Sequence, residues 1–176
     1  MKKVFIIFIA LLISASAFSQ EDFLRNEIRI NLFPSFVFVF PEITYERILN
    51  ENFSVGVSAG VSTFERPTFR DYNIVPFGRL YFGEQPARGF FIEVNAAIFA
   101  PGAGIGCGGG PPPYPELYEP FSRFSKMYFG AGLAAGGKRV TRNNWVWEAM
   151  IGLGRGNGEG MAASYMRWGV SFGRRF

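Results

Sequence analysis

The sequence predicts an all-β fold in which eight antiparallel strands, connected up and down, close into a barrel. Three observations support this prediction. Residues 165–176 alternate between large, mostly apolar side chains and small, polar or charged ones, which is the period of a β-strand with two different faces. Similar alternation recurs in seven earlier stretches that are separated by turn-forming sequences. The composition, with 22 Gly and 21 Phe, is also typical of a barrel.

The strands follow one another in a regular rhythm. We predict them at residues 27–32, 42–49, 53–63, 72–82, 90–100, 123–137, 145–154 and 165–176. The first two are joined by a short hairpin near residues 34–41, where Pro34 and Ser35 interrupt the alternation. A tight polar turn at 50–52 leads into the third strand, which is the most regular because it is apolar at every second position from Phe53 onwards.

The later strands are bounded by clear turn signals. A loop at 64–70 precedes the fourth strand, and a turn rich in Gly and Pro at 83–89 precedes the fifth. Residues 101–122 form a long Gly/Pro-rich loop, well beyond ordinary hairpin length. Turns at 138–144 and 155–160 bound the seventh strand. Each strand between these turns alternates an apolar face with Gly, Ala, Arg, Glu or Asn.

The first 19 residues have the layout of a secretory signal peptide. Lys2 and Lys3 supply a short positive region, residues 4–13 are apolar, and small residues follow. The apolar run is too short for a spanning helix. Cleavage after Ser19 leaves residues 20–176 as one barrel domain, and cleavage after Ala17 is the alternative. Removing the two lysines lowers the formal net charge from +4 to +2.

A secreted barrel with one apolar face on each strand is expected in a bacterial outer membrane. Strands of about 9–11 residues cross a bilayer, and no segment after the signal peptide approaches the length of a spanning helix. We therefore predict an eight-stranded antiparallel up-and-down transmembrane β-barrel, with outer-membrane lipid against its apolar face. With both termini in the periplasm, the connections near 34–41, 64–71, 101–122 and 155–161 fall outside the cell.

Charged residues occupy several inward-facing positions of this barrel. The predicted set, which we call the lumen ion-pair network, is Arg29, Glu46, Arg79, Glu93, Glu148 and Arg167. Eight strands enclose a space about wide enough for side chains, and buried charges must be paired. The sequence therefore predicts a structural plug. The alternative, carboxylates acting as acid and base, requires a substrate cleft that a packed lumen lacks.

Residues that carry chemistry are few. Histidine is absent and Cys107 is the single cysteine, which excludes an intramolecular disulfide, a Cys/His zinc cluster and a His-dependent triad. Residues 104–109 match the dinucleotide-binding glycine pattern, but prolines at 111–113 stand where that mechanism needs a helix. Scattered Lys and Arg argue against nucleic-acid binding. We predict no enzyme activity, catalytic residue, cofactor or metal site.

The long loop at 101–122 contains the best candidate for a binding epitope. Its apolar side chains are Tyr114, Leu117, Tyr118 and Phe121. In a loop on the outer face, this cluster would expose apolar surface to an extracellular ligand or protein. Cys107 lies in the same loop, and we interpret it as a free thiol.

Several segments carry a resemblance to a known family. These are the Ala-Phe-Ser-Gln junction at 17–20, the segments 41–47 and 50–57, the segment 76–83 and the terminal Phe176. Together they resemble the small outer-membrane β-barrel proteins of Bacteroidetes-type bacteria, with an OmpA/OmpX-like eight-stranded barrel. In such families the last strand is the signal that the barrel-assembly machinery reads. The resemblance implies that its apolar positions here are Trp168, Val170, Phe172 and Phe176, with Arg174 departing from a purely apolar pattern.

The sequence thus predicts a non-enzymatic integral outer-membrane protein with a structural or surface-interaction role and a charge-plugged lumen. One alternative is a narrow pore for small solutes, which requires the lumen to open. A second is a soluble lipocalin-like barrel, in which the apolar face would point inward around a ligand. A membrane-embedded lipid enzyme is disfavoured because the usual histidine is missing.

Overall fold

The computed structural model describes residues 24–37, 40–61, 70–101, 127–158 and 161–176. The strands are β1 (Asn26–Asn31), β2 (Glu42–Ile48), β3 (Phe53–Val61), β4 (Arg70–Tyr81), β5 (Gly89–Pro101), β6 (Tyr128–Val140), β7 (Trp145–Gly158) and β8 (Met161–Arg175). A short helix, α1 (Leu32–Val37), follows β1. Each strand pairs antiparallel with the next, and β8 returns to β1, so the sheet is a closed barrel. The predicted eight-stranded up-and-down barrel is confirmed.

The barrel closes through its two terminal strands. Ile28 lies opposite Arg174 and Ile30 opposite Phe172 in the ladder between β1 and β8. At the end of this ladder the Asn26 amide donates to the Phe176 carbonyl at 3.0 Å, and the Phe176 amide donates to the Asn26 carbonyl at 2.7 Å. Both chain ends therefore lie at the same end of the barrel, which we call the terminal end.

The two faces of the sheet differ in chemistry on every strand. Outward-facing, exposed apolar residues are Ile28, Ile43, Val57, Leu80, Val94, Leu133, Ile151 and Val170, one from each strand in order. The residues that alternate with them are buried and are mostly polar, charged, aromatic or small. This is the period-two pattern that predicts the strands in the sequence. In the described part of the chain, no helix is long and apolar enough to cross a membrane.

Apolar side chains pack inside the barrel in two separate clusters. The cluster at the terminal end contains Ile48, Tyr81, Ala87 and Phe91, with Met150 packed against it. The second contains Val75, Ala97, Phe99, Tyr128 and Tyr165. Inward-facing glycines leave room for these rings: a Cβ on Gly132 would lie 2.7 Å from the Tyr165 hydroxyl. The interior is therefore filled by side chains rather than by an open channel through these two layers.

The predicted hairpin near residues 34–41 is wrong in part, because α1 occupies its first half. Pro34 lies in the first turn of this helix, where a missing N–H removes no intrahelical hydrogen bond. The Ser35 hydroxyl donates to the Asn31 carbonyl, and the Phe40 amide donates to the Pro34 carbonyl at 3.0 Å. The chain thus turns back into the barrel with Phe40 buried.

The predicted boundaries of the last three strands are also wrong. Residues 138–140 belong to β6 rather than to a turn, and the turn is confined to 141–144, where Asn144 adopts φ 63°. Residues 155–158 continue β7, and β8 begins at Met161. The alternation in fact continues through these residues: Lys138 and Val140 are buried while Arg139 is exposed. The predicted strand residues 123–126 lie outside the described ranges.

Candidate functional site

All six residues of the lumen ion-pair network lie inside the barrel. Arg29 comes from β1, Glu46 from β2, Arg79 from β4, Glu93 from β5, Glu148 from β7 and Arg167 from β8. Each is almost fully buried, with at most 4% of its surface exposed. Alternation in each strand places them inward, and barrel closure brings residues from distant parts of the sequence together.

The centre of the network consists of two arginines that share two glutamates. Arg29 lies 2.6 Å from Glu46 and 3.4 Å from Glu148, measured between side-chain nitrogen and oxygen. Arg79 contacts the same pair, with Nη1 2.8 Å from Glu46 and 2.7 Å from Glu148. Its Nη2 also donates to Glu148 at 3.0 Å, which makes that pair bidentate. Arg79 Nε completes the fork with a 2.8 Å contact to Glu93.

Three further charged residues join the network at the terminal end. Lys138 Nζ lies 2.9 Å from Glu27 and 2.8 Å from Glu46. Glu27 also pairs with Arg29 and with Arg175, whose Nη2 lies 2.6 Å away. Arg175 donates in addition to the backbone carbonyls of Pro86 and Ala87, at 3.0 Å each. Arg175 on the last strand therefore links the turn before β5 to the charged residues of the interior.

The sequence prediction missed these residues for identifiable reasons. Lys138 falls in a predicted turn at 138–144, although the alternation that buries it continues to Val140. Glu27 and Arg175 stand at strand ends, where a charge is ordinarily solvated. The alternation in β1 and β8 nevertheless places Glu27 and Arg175 on the inward face, and this is the signal by which the sequence identifies them.

Aromatic rings and hydroxyls complete the environment of the central charges. The Tyr81 hydroxyl and the Ser54 hydroxyl each donate to Glu46 at 2.6 Å. The Arg79 guanidinium lies 4.4 Å from the ring centroids of both Phe77 and Phe91, so it is held between two aromatic faces. Arg79 thus contacts three carboxylates and two aromatic rings.

Arg167 lies at the edge of the network and is less completely paired. Its Nη2 donates to the Ser58 hydroxyl at 3.0 Å, and its Nη1 lies 3.5 Å from Glu93. Its Nε has no hydrogen-bond partner among the described residues. Farther toward the opposite end, the Glu42 carboxylate accepts from Asn73 at 2.9 Å and from Asn31 at 3.4 Å.

The buried charges of the described chain balance. The cations are Arg29, Arg79, Lys138, Arg167 and Arg175, and the carboxylates are Glu27, Glu42, Glu46, Glu93 and Glu148. The interior therefore holds five charges of each sign among the residues whose burial the structure describes. Because the four carboxylates of the network each contact a cation, the arrangement is chemically suited to holding strands together. Among the described residues no group of three or more Cys, Asp or Glu is placed to hold a metal ion.

The predicted residues of the last strand lie on the outer face and at its rim. Trp168 and Val170 are exposed on the outside, and Phe176 follows the end of β8. Phe172 packs against both neighbouring tryptophans, with ring centroids 4.9 Å from Trp145 and 4.5 Å from Trp147. Arg174 also points outward, and its guanidinium lies 5.8 Å from the ring centroid of Trp145.

Several predicted features fall outside the described residues. These are the signal peptide at 1–19, Cys107, and the loop epitope formed by Tyr114, Leu117, Tyr118 and Phe121. The described chain leaves β5 at Pro101 and enters β6 at Tyr128, both at the end of the barrel opposite the chain termini.

We expect the ion pairs to stabilise the fold, and Glu46→Gln to reveal this. The substitution removes the charge that Arg29, Arg79 and Lys138 share, which leaves buried cations undercompensated. Breaking a buried pair in this way costs about 3–5 kcal/mol of unfolding free energy. The measurement is the urea unfolding midpoint of the refolded protein in detergent micelles. Glu84→Gln, in an exposed turn, is the matched control and should change stability by less than about 0.5 kcal/mol. Equal midpoints for the two variants would contradict a stabilising network.

Comparison with known proteins identifies no relative for this chain. No protein-family model, curated protein or solved structure matches it.

Proposed function

We propose that this chain is an integral outer-membrane β-barrel protein with a structural or surface-interaction role, whose interior is plugged by charged side chains. The observation that carries the proposal is the apolar outer face. Isoleucine, leucine, valine and aromatic side chains point outward from all eight strands, and the most exposed, Leu133, Ile151 and Leu153, have 62–66% of their surface accessible. Soluble monomers rarely expose contiguous apolar patches beyond the order of a few hundred Å², whereas here apolar side chains are exposed on the outside of every strand.

The distribution of side chains along the outer face supports a bilayer around the barrel. Trp145 and Trp147 lie at the terminal end, where β7 begins, and Phe82 and Phe90 lie on the same rim at the turn before β5. Aromatic side chains at the ends of strands are typical of the headgroup zone, with aliphatic side chains between them facing hydrocarbon. Closure of the sheet also satisfies the backbone within the barrel, as a hydrocarbon environment requires.

The same surface separates this proposal from a soluble lipocalin-like barrel. A soluble carrier keeps its apolar residues inside, around a ligand, and presents polar residues to water. Here the inward positions of β1, β2 and β4 include Arg29, Glu46 and Arg79, while Ile28, Ile43 and Leu80 point outward. This orientation favours lipid outside the barrel.

The remaining parts of the proposal concern placement and partners. A cleaved signal peptide at 1–19 would deliver the chain to the periplasm, and β8 with Phe176 would be the strand that the barrel-assembly machinery reads. The terminal end would then face the periplasm. The connection between β5 and β6, with its cluster at Tyr114, Leu117, Tyr118 and Phe121, would face the outside and could contact an extracellular ligand or protein.

Insertion is tested by placing a charge on the outer face. Ile151 lies midway along β7, and we expect Ile151→Arg to cost about 2–4 kcal/mol if the residue faces the bilayer midplane. The control is Asn157→Arg, also outward on β7 but near its end, where the cost should be about 0–1 kcal/mol. The measurement is heat-modifiable gel migration of the membrane fraction, because a folded barrel migrates differently before and after boiling.

We expect the wild type and Asn157→Arg to shift on boiling and Ile151→Arg to lose most of the shifted species. Absence of any shift in the wild type would contradict the membrane barrel. Equal behaviour of the two arginine variants would contradict a lipid-facing β7.

Conductance tests the plug against the alternative of a narrow pore. Arg29, Arg79 and the glutamates between them cross the interior, and their side chains are fully buried. We therefore expect no steady single-channel current when the purified protein is added to a planar lipid bilayer. Steady currents that disappear in Glu46→Gln would contradict the plug and support a pore lined by these charges.

A further inference from the structure

The outer face of the barrel carries an apolar groove near the terminal end. It has a volume of about 350 Å³, within the range of small-molecule sites, and lies across β6, β7 and β8. Gly137 and Ala149 face each other across the ladder between β6 and β7 and lie at its base, with Trp147 and Val170 beside them. A Cβ added to Gly137 would meet no atom within 4 Å, so the space over this residue is open.

Two arginines lie beside the groove at the rim of the barrel. Arg139 lines the groove itself and is level with Trp147 in the ladder. Arg174 lies across β7, beside Trp145, and is likewise exposed. Neither arginine is within ion-pair distance of a carboxylate of the described residues. From residue 127 onward, Glu148 is the single acidic residue in the described ranges, and it is buried inside the barrel.

We propose that this groove binds one anionic phospholipid, with an acyl chain along Gly137 and Ala149 and the headgroup phosphate against Arg139 and Arg174. The inference rests on the proposed membrane location and names a specific lipid partner for it. The two arginines lie two strand spacings apart and are offset by two residues along the strands, about 12 Å in all, a distance that two long side chains can span to reach one headgroup. Arg binds phosphate with paired, charge-assisted hydrogen bonds.

Packing explains why a lipid chain fills the groove. In a bilayer the surroundings are as apolar as the groove, so the free energy of binding comes from dispersion contacts, which an unfilled groove would lack. The missing side chain at Gly137 creates a notch between larger neighbours, and a flexible acyl chain can follow it. Trp147 beside the groove suits the headgroup level, where the acyl chain meets the phosphate.

Charge favours a lipid over a second copy of the chain. In a symmetric dimer the same surface is used twice, so Arg139 and Arg174 of one copy would face the same residues of the other. The outer face of β6 to β8 supplies no Asp or Glu side chain in the described ranges to offset this repulsion. An anionic headgroup supplies the missing charge.

The experiment measures lipid retained by the folded protein. The barrel is reconstituted in nanodiscs of phosphatidylcholine containing a minor fraction of phosphatidylglycerol, extracted in mild detergent, and examined by native mass spectrometry. We expect one phosphatidylglycerol on each barrel. Arg139→Gln with Arg174→Gln should weaken retention about tenfold or more, because charge-assisted contacts are lost. Gly137→Leu should abolish it by filling the groove.

Matched variants control for charge and for size. Arg155→Gln removes an exposed arginine near the far end of β7, and Ala131→Leu adds the same side chain to an outward position of β6 outside the groove. Both should retain phosphatidylglycerol as the wild type does. Each variant is first checked for the heat-modifiable shift, and if Gly137→Leu does not fold, the arginine pair decides the outcome.

Three results would overturn the lipid site. Retention that is equal in Gly137→Leu and Ala131→Leu excludes the groove, and retention unaffected by the arginine substitutions excludes the phosphate contact. A dimer mass that Gly137→Leu abolishes assigns the groove to a second copy. A protein that shifts on boiling but carries no lipid refutes this inference alone, whereas a protein that never inserts refutes the proposed function.

Discussion

The interior of an eight-stranded barrel is only wide enough for side chains, so each inward charge must find its opposite across the barrel. Arg29 and Arg79 each contact Glu46 and Glu148, which come from different strands. Shared ions therefore tie β1, β2, β4 and β7 together in addition to the backbone ladder. A slip of one residue in any of these strands would move its charges to the apolar outside, so the network also fixes register.

The side-chain-filled interior has a consequence for the outer face. Among the described residues, buried apolar side chains form two small clusters around Tyr81 and Tyr165 with a few others beside them, and large apolar side chains of all eight strands point outward. In water this surface would be left unburied, whereas in a bilayer it would contact hydrocarbon. The proposed outer-membrane location thus explains why each strand alternates: its apolar side chains would face lipid, and its polar and charged side chains face the interior. It also gives a role to the exposed arginines beside Trp145 and Trp147, which suit a headgroup layer.

Alternation was sufficient to predict the strands, their number and which residues face inward, because one side-chain period describes the whole barrel. Alternation does not predict the ends of strands where a residue type is compatible with both a turn and a regular element. Pro34 indicates a turn but lies in the first turn of α1. The Lys138-Arg139 pair resembles a polar turn, although only Arg139 is exposed. The partners of each charge could not be derived, because they depend on the stagger of the closed sheet. That stagger brings Lys138 to Glu27 and Glu46.

Tryptophan fluorescence measures whether lipid surrounds the outer face of the barrel. The three tryptophans, Trp145, Trp147 and Trp168, all point outward, with 37–47% of their surface exposed. The protein is reconstituted in bilayers whose acyl chains carry bromine, which quenches tryptophan on contact, and in matched bilayers without bromine. If lipid surrounds the barrel, the brominated chains quench the tryptophans strongly and acrylamide in the water quenches them weakly. Unchanged fluorescence in brominated bilayers, with full quenching by acrylamide, would show that water rather than lipid covers the outer face.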